Sequence, residues 1–244
     1  MSLIKHFERN TAGRDFAVGD IHGCFSRLQK ALDAAGFDLH HDRLFSVGDL
    51  VDRGPESEQA VEWLAMPWFH AVRGNHEQMT IDAQRAAETD LHLINGGVWF
   101  YGLPSWERTA IADTLAELPV AIEVETAAGL VGLVHADCPF PSWRHLQLAL
   151  DGTAEISNKD LKLVKNTCMW SRGRIEQGDT DGVQGVRAMV VGHTPVRQPA
   201  VLGNVWHIDT GGWLKDGHFT LLNLATLECI PPINPKMHWD WEDA

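Results

Sequence analysis

The stretch AVRGNHE, residues 71–77, leaves an apolar run at 68–72 and places Arg, Asn, His and Glu within five positions. A turn accommodates Gly and Asn without strain, but it has no conformational need for Arg, His or Glu. The change from apolar to polar residues therefore predicts the end of a strand that carries chemical groups.

The segments before this stretch alternate between strand and helix patterns. Strands are predicted at 16–18, 44–47 and 68–72. Between them, apolar residues at helical spacing predict one helix that stops at Gly36 and another that stops before Pro67. The order strand, helix, strand, helix, strand predicts a sheet with crossover helices.

The rest of the chain continues this mixed pattern. The predicted elements are a helix, a hairpin, a helical region with a polar interruption and three strands, at 109–118, 120–134, 143–168, 188–191, 205–208 and 219–222. The tail from Pro231 contains further prolines and breaks the pattern. We predict one catalytic domain over residues 1–230 and an irregular tail over residues 231–244.

Polar residues follow five of the predicted strands. The segments are GDIHG (19–23), GDLVDRG (48–54), RGNHE (73–77), HAD (135–137) and GHT (192–194). We expect these strand ends to meet at one sheet edge, which is the usual crevice for an active site in an α/β protein.

The residue types in these segments predict a metal site. The donors are carboxylate, amide and imidazole groups, at Asp20, His22, Asp49, Asn75, His135 and His193. Donors of this kind suit Mn, Fe or Zn. Six are too many for a tetrahedral zinc site but enough for two ions if one carboxylate bridges them. Asp20 and His22 are two residues apart, so in an extended segment they would project to the same side.

Composition and charge exclude several other classes. The 244 residues are 44% hydrophobic and 22% charged, and no run approaches the ~20 apolar residues of a membrane span. A net charge of −13 disfavours a nucleic-acid partner. The first residues lack the apolar core of a signal peptide, so we expect a cytoplasmic protein.

Four cysteines lie far apart in the sequence, at Cys24, Cys138, Cys168 and Cys229. They form no CxxC pair, which disfavours a zinc knuckle or a disulfide framework. We predict buried, reduced thiols.

Together, GDIHG, GDLVDRG and RGNHE resemble the metal-dependent phosphoprotein phosphatases within the calcineurin-like metallophosphoesterases. VGDLVDRG, PWFHAVRGNHEQM and HADCP resemble the branch of bacteriophage-lambda and bacterial serine/threonine protein phosphatases. The likeness extends over about residues 14–223. It implies an α/β fold in which two mixed β-sheets pack as a sandwich flanked by helices.

The resemblance also implies a dinuclear metal centre, with Mn²⁺ as the expected ion and Fe or Zn as alternatives. The implied ligands are Asp20, His22 and the bridging Asp49 for one ion, and Asp49, Asn75, His135 and His193 for the other. Two ions ~3.5–4 Å apart would share a water molecule, lower its pKa and direct it at phosphorus.

Further residues have implied roles in phosphate binding and proton transfer. Arg53 and Arg73 would bind phosphate oxygens, because a planar guanidinium matches their geometry. His76 would protonate the leaving oxygen as general acid, and Asp52 would orient its other ring nitrogen.

A third phosphate-binding arginine follows a tryptophan in this family. Arg172, in Trp170-Ser171-Arg172, is the best match, and Arg174 is the alternative.

The implied activity is hydrolysis of phosphoserine and phosphothreonine in phosphorylated proteins or peptides. One alternative is a symmetrical diadenosine tetraphosphate hydrolase, which shares a start like GDIHGC; Asp52 and Glu77 fit the phosphatase branch better. Nucleases and cyclic-nucleotide phosphodiesterases share the metal chemistry, but they usually lack the Asp52-Arg53 pair. A binding module without activity should have lost a ligand or the general acid.

Residues outside these segments carry no motif. We predict ordinary core or surface roles for the remaining histidines, His92 among them, and for the tryptophans. Asp209-Thr210-Gly211 is predicted to be a structural turn, with a supporting role at the site as the alternative.

Overall fold

The computed structural model describes residues 2–86 and 89–235 of the chain. The predicted tail at 231–244 therefore lies mostly outside the described residues. The strands are β1 (Ile4–Phe7), β2 (Asp15–Val18), β3 (Arg43–Ser46), β4 (Phe69–Ala71), β5 (Ala121–Thr126), β6 (Gly129–Val134), β7 (Ala188–Val191), β8 (Ala200–Leu202), β9 (Val205–His207), β10 (Leu221–Asn223) and β11 (Cys229–Ile230). The α-helices are α1 (Phe25–Ala34), α2 (Ala60–Leu64), α3 (Asn75–Arg85), α4 (Asp90–Ile94), α5 (Val98–Tyr101), α6 (Ser105–Ala116), α7 (Trp143–Leu150), α8 (Asn158–Trp170) and α9 (Gly173–Gln177).

The strands form two mixed sheets. The first has the order β1-β5-β6-β7-β9-β8, and the second has the order β11-β10-β2-β3-β4. The implied fold class, an α/β protein with two mixed sheets and flanking helices, is confirmed. The predicted hairpin is the antiparallel pair β5–β6, and the crossover helices α1 and α2 connect the parallel strands β2, β3 and β4.

Alternation along the strands divides the core into layers, because successive side chains of a strand point to opposite faces. Ala17 and Phe45 of the second sheet pack in one cluster with Val131 and Val190 of the first, so this cluster fills the space between the sheets. Side chains on the other face of the second sheet, such as Phe16, pack instead in a cluster with residues of α1, α2 and α6. Side chains on the outer face of the first sheet pack in a cluster with residues of α7 and α8.

The two sheets together position the polar segments. β2, β3 and β4 run parallel in one sheet, while β6 and β7 run parallel in the other. The expectation that all five strands end at the edge of a single sheet is therefore wrong. The segments come from both sheets, and face-to-face packing brings the two sets of strand ends together.

Short elements account for most other differences from the predicted pattern. β1, β8 and β11 have two to four residues each, too few to show a clear period in the sequence. The Asn75-His76-Glu77 segment is the first turn of α3 rather than a free turn after β4.

Two expectations about general properties can be compared with the structure. The four cysteines are free and buried, as predicted. Within residues 2–86 and 89–235, we find no helix with the length and apolar character needed to cross a bilayer.

Candidate active site

The loops that follow the strands hold unusual backbone conformations at the predicted site. Among the described non-glycine residues, six have φ in the left-handed region, and five of them belong to the predicted site: His22, Asp49, Asp52, Arg53 and His193. Such conformations are costly for residues with a Cβ and concentrate at functional sites. The assumption that Asp20 and His22 lie in an extended segment is wrong, because φ of His22 is 44°.

The Asp49 carboxylate lies at the centre of the cluster. Its Oδ2 is 3.3 Å from Nε2 of His135, 3.6 Å from Nε2 of His22 and 3.8 Å from Nε2 of His76. Its Oδ1 accepts the backbone N–H of His76 at 3.0 Å. Gly74 allows this approach, since a Cβ there would clash with Asp49.

Backbone carbonyl groups fix the orientation of two histidine rings. Nδ1 of His22 donates to the Val51 carbonyl at 2.9 Å, and Nδ1 of His135 donates to the Val47 carbonyl at 2.8 Å. In the neutral form of each ring, these contacts leave Nε2 unprotonated and directed at Asp49. This arrangement is typical of histidines that bind metals.

Several atoms that can bind a metal lie close together around His135. Its Nε2 is 2.9 Å from Oδ1 of Asn75 and 3.1 Å from Nδ1 of His193. Nε2 of His193 is buried and has no hydrogen-bond partner. A divalent cation would satisfy these donors, which are of the oxygen and imidazole type. The residues present therefore fit a metal site.

Asp20 connects the loops of the two sheets. Both of its carboxylate oxygens accept the backbone N–H of His193, at 3.1 and 3.2 Å. Gly192 lies against Asp20, and a side chain at that position would clash with the carboxylate. The loop after β7 can therefore lie close to the loop after β2, with the backbone of His193 against Asp20.

Buried charge at this cluster also favours a cation. Burial raises the pKa of Asp20 well above its usual value, and the neighbouring Asp209 and Asp49 carboxylates raise it further. Burial raises the pKa of Asp209 to about 6. Burial lowers the pKa of both His22 and His193 to about 3, which keeps these rings neutral, the form that binds metals.

Asp209 is more than a turn residue. Its side chain is buried, its Oδ1 accepts the N–H of Gly211 at 3.0 Å, and its charge raises the pKa of the Asp20 carboxyl group. The predicted structural turn is therefore present, and its carboxylate also lies close to a residue of the cluster. No ligand-like spacing in the sequence indicated this contact.

His76 and Asp52 form a buried pair beside the cluster. Nδ1 of His76 lies 2.7 Å from Oδ2 of Asp52, and both residues are almost completely buried. The other carboxylate oxygen, Oδ1, accepts Nε1–H of Trp99 at 2.7 Å and lies 2.9 Å from Nε2 of His92. The carboxylate therefore has polar partners on both oxygens.

His92 and Trp99 were missed by sequence reasoning. The prediction of an ordinary core or surface role for His92 did not specify its partner: the residue is fully buried, with Nε2 2.9 Å from Oδ1 of Asp52. The only local signal is the pair Gly96-Gly97: a Cβ at Gly97 would clash with the His92 ring. A glycine is needed there because the ring lies against the backbone.

Two arginines lie at the cluster. Nη2 of Arg53 is 3.2 Å from Nε2 of His76, and the guanidinium stacks over the ring of Trp213 at 4.5 Å from its centroid. Nη2 of Arg172 donates to the carbonyl of His193 at 3.5 Å.

The other two candidate arginines are engaged elsewhere. The Arg73 guanidinium donates to the carbonyls of Ala116 and Leu118, at 2.5 and 3.0 Å, where helix α6 ends. The geometry gives Arg73 a capping role, because unpaired carbonyls at a helix C-terminus attract a cation, and its implied phosphate contact stays a prediction. Arg174 pairs with Asp137 at 2.9 Å, whereas Arg172 contacts the backbone of the cluster residue His193.

Glu77 holds two of the site loops together. Its carboxylate accepts the backbone N–H groups of Asp49, Leu50 and Gly74 at 2.7–2.9 Å. The side chain is fully buried. A carboxylate at this position satisfies several backbone donors at once and fixes Asp49 relative to α3.

The fold and the site define a metallophosphoesterase, a metal-dependent class of hydrolase. The family model for calcineurin-like phosphoesterases matches residues 16–197, and the chain belongs to that family. It is 38% identical to serine/threonine-protein phosphatase 1 of Salmonella typhimurium over 86% of this chain and 91% of that protein. It is 44% identical to the symmetrical bis(5'-nucleosyl)-tetraphosphatase of Dechloromonas aromatica over 92% of this chain and 81% of that protein.

A solved structure supports the same fold. A protein serine/threonine phosphatase from Saccharomyces cerevisiae superimposes with a TM-score of 0.61 at 16% identity, covering 91% of this chain and 77% of that one. At this level of identity the similarity concerns the fold alone.

Proposed function

We propose that the protein is a serine/threonine protein phosphatase that hydrolyses phosphoserine and phosphothreonine in proteins or peptides, with residues 1–230 as its catalytic domain. The observation that carries this proposal is the buried contact of 2.7 Å between His76 and Asp52, next to the Asp49 cluster. The similarity to the Salmonella typhimurium phosphatase supports it.

The proposed cofactor is a pair of divalent ions, with Mn²⁺ as the expected metal. The residues that would hold them are Asp20, His22, Asp49, Asn75, His135 and His193. When bound, such ions supply Lewis acidity and an activated water as nucleophile. The contacts of the His22 and His135 Nδ1 atoms with backbone carbonyls keep the two rings in the orientation that this role requires.

The Asp52–His76 pair suits a reaction with a poor leaving group. When the bond from phosphorus to a serine oxygen breaks, the departing alkoxide needs a proton. Asp52 accepts Nδ1–H of His76, so an imidazolium form would present Nε2–H to the substrate and give its proton to the serine oxygen. The same contact with Asp52 stabilises that imidazolium.

Arg53 is placed to bind the phosphate next to this acid. Its Nη2 donates to Nε2 of His76 at 3.2 Å when the imidazole is neutral. A phosphate between them would accept from both, and stacking on Trp213 holds the guanidinium at this position. Arg172 is proposed as a second phosphate contact, near His193.

A symmetrical dinucleotide hydrolase is the second candidate, since the Dechloromonas aromatica relative has that name. The departing nucleoside diphosphate of such a substrate is a much weaker base than an alkoxide, so its release depends less on a general acid. The buried Asp52–His76 pair therefore favours the phosphomonoester, although the metal cluster serves either reaction.

The test compares phosphate release from a phosphoserine peptide with release of ADP from diadenosine tetraphosphate by the Mn²⁺-loaded protein. We expect preference for the peptide, and His76→Asn should lower peptide turnover by about 10²–10⁴-fold while metal content stays unchanged. Preference for the dinucleotide would move the protein to the second candidate function. Unchanged peptide turnover in His76→Asn would overturn the general-acid role.

A further inference from the structure

We propose that His92 and Trp99 are positioning residues of the reaction, which hold the Asp52 carboxylate so that it orients and stabilises the general acid His76. This inference rests on the proposed function, because it concerns the proton donor of the same site. The inference assigns a role in catalysis to residues 90–101, a segment that contains none of the six proposed metal ligands.

The contacts form a short chain of hydrogen bonds around the buried Asp52 carboxylate. Trp99 Nε1–H donates to Oδ1 of Asp52 at 2.7 Å, and Nε2 of His92 lies 2.9 Å from the same oxygen. Oδ2 of Asp52 then accepts Nδ1–H of His76 at 2.7 Å. Two donors on one oxygen fix the plane of the carboxylate, so the other oxygen has a defined direction toward His76.

The surroundings of His92 set its ring orientation. Nδ1 lies 3.2 Å from the hydroxyl of Tyr101, which can donate to it, and Nε2 then carries the proton that Asp52 accepts. Thr80 contacts the ring at Nε2 and also donates to the His76 carbonyl at 3.0 Å. The absence of a side chain at Gly97 lets the ring lie against the backbone.

The same segment also touches the phosphate-binding side of the site. The backbone N–H of Arg53 points to the Gly96 carbonyl at 3.5 Å, and a side chain at Gly96 would press on Arg53. Residues 90–101 thus contact both members of the Asp52-Arg53 pair. A loss of this packing alone would affect phosphate binding, whereas a loss of the hydrogen bonds to Asp52 would affect proton donation.

The leaving group of the substrate separates these two effects. Hydrolysis of 2,4-dinitrophenyl phosphate needs little proton donation, while hydrolysis of phosphoserine needs much. We expect Trp99→Phe, which keeps the ring and removes the N–H, to lower kcat on a phosphoserine peptide by at least tenfold more than kcat on 2,4-dinitrophenyl phosphate. KM for both substrates should change little.

A matched control exists in the same chain. Trp143 also donates its indole N–H to a buried carboxylate, Glu123, at 2.6 Å, but it packs in the α7–α8 cluster away from Asp52. Trp143→Phe removes the same kind of bond and should affect the two substrates equally. Circular dichroism and bound Mn²⁺ verify that both variants are folded and loaded.

His92 is tested by a pair of substitutions and a double variant. His92→Leu should reproduce the leaving-group effect, and His92→Gln, which retains a donor, should recover part of the lost kcat. In a His76→Asn background, Trp99→Phe should cause little further loss, because the group it positions is already absent.

Two results would overturn the inference while leaving the proposed function intact. One is an equal loss on both substrates in Trp99→Phe, which would indicate general loosening of the site. The other is a full additional loss in the His76→Asn background. Failure of the wild-type protein to hydrolyse the peptide at all would instead contradict the proposed function.

Discussion

Oδ2 of Asp52 lies 2.7 Å from Nδ1 of His76, with both side chains buried, while Nε2 of His76 faces Arg53 at 3.2 Å. One ring nitrogen is therefore held by a carboxylate and the other faces a cationic group beside the metal cluster. Anionic phosphate is the ligand that such an arrangement accommodates, because it accepts from a guanidinium and an imidazolium together.

Asp52→Asn should slow phosphoserine hydrolysis strongly. The amide cannot stabilise a charged His76, and its NH₂ group can turn toward Nδ1 and impose the wrong tautomer. We expect a loss of about 10²–10⁴-fold in kcat, measured by phosphate release at saturating peptide. Unaltered Mn²⁺ content would accompany this loss, and an unaltered kcat would contradict the role of Asp52.

Asp49→Asn should abolish tight metal binding. Asp49 is the carboxylate on which His22 and His135 converge, and the amide removes its charge and one acceptor. Titration with Mn²⁺ followed by calorimetry would measure the change. Asp42→Asn is a suitable control, because Asp42 is a buried carboxylate that binds Arg14 instead. Retention of wild-type affinity in Asp49→Asn would show that the cluster is not the metal site.

Arg53 and Arg73 should respond differently to substitution. Arg53→Ala should weaken inhibition by free phosphate and raise KM, since the side chain faces His76 at the cluster.

Arg73→Met should instead lower the free energy of unfolding by about 1–3 kcal/mol, because the carbonyls of Ala116 and Leu118 lose their donor. Urea denaturation measures this change. A large effect of Arg73→Met on phosphate affinity without loss of stability would contradict the capping role.

Acid should destabilise the protein through His70. Burial, with Lys5 and Arg43 nearby, lowers the pKa of His70 to about 4 in the folded state, from 6.5 in the unfolded chain. The unfolded chain therefore binds more protons between these values, and the contribution to stability present above pH 6.5 is lost as the pH falls toward 4.

At pH 5 this loss should be about 1–2 kcal/mol relative to pH 7. Urea denaturation at both pH values measures it. His70→Phe should reduce the difference, because the ring packs against Phe7 and Phe45 and a phenyl ring can take its place. An identical pH dependence in wild type and variant would contradict the assignment.

The chemistry of the site could be predicted from the sequence to a large extent. The types of donor and their position after apolar strands are local properties. The need for a glycine at position 74, where any Cβ would clash with Asp49, is instead visible only in the structure. Most of the strands and the helices α1, α2, α6, α7 and α8 were predicted because their periods are visible within a few residues, whereas α3 was not predicted.

Contacts between distant segments could not be predicted. His92 and Trp99 reach Asp52 across 40 and 47 residues, and no local pattern specifies a partner at that separation. Arg73 stands within the same short motif as Asn75 and His76, yet its side chain points to the end of α6. The direction of a long side chain depends on which carbonyls are unpaired near it, and this is a property of the packed structure.

The sequence by itself determined which carboxylate, amide, imidazole and guanidinium side chains are available at the site. The type of each side chain and its position after a strand can both be recognised within a few residues of sequence. Only the tertiary structure decided that the strand ends come from two sheets. It also decided that Asp20 of one sheet meets His193 of the other, and that Asp52 is held by residues 90–101. These relationships follow from the packing of alternate faces of the two sheets into one core, which depends on the whole chain at once.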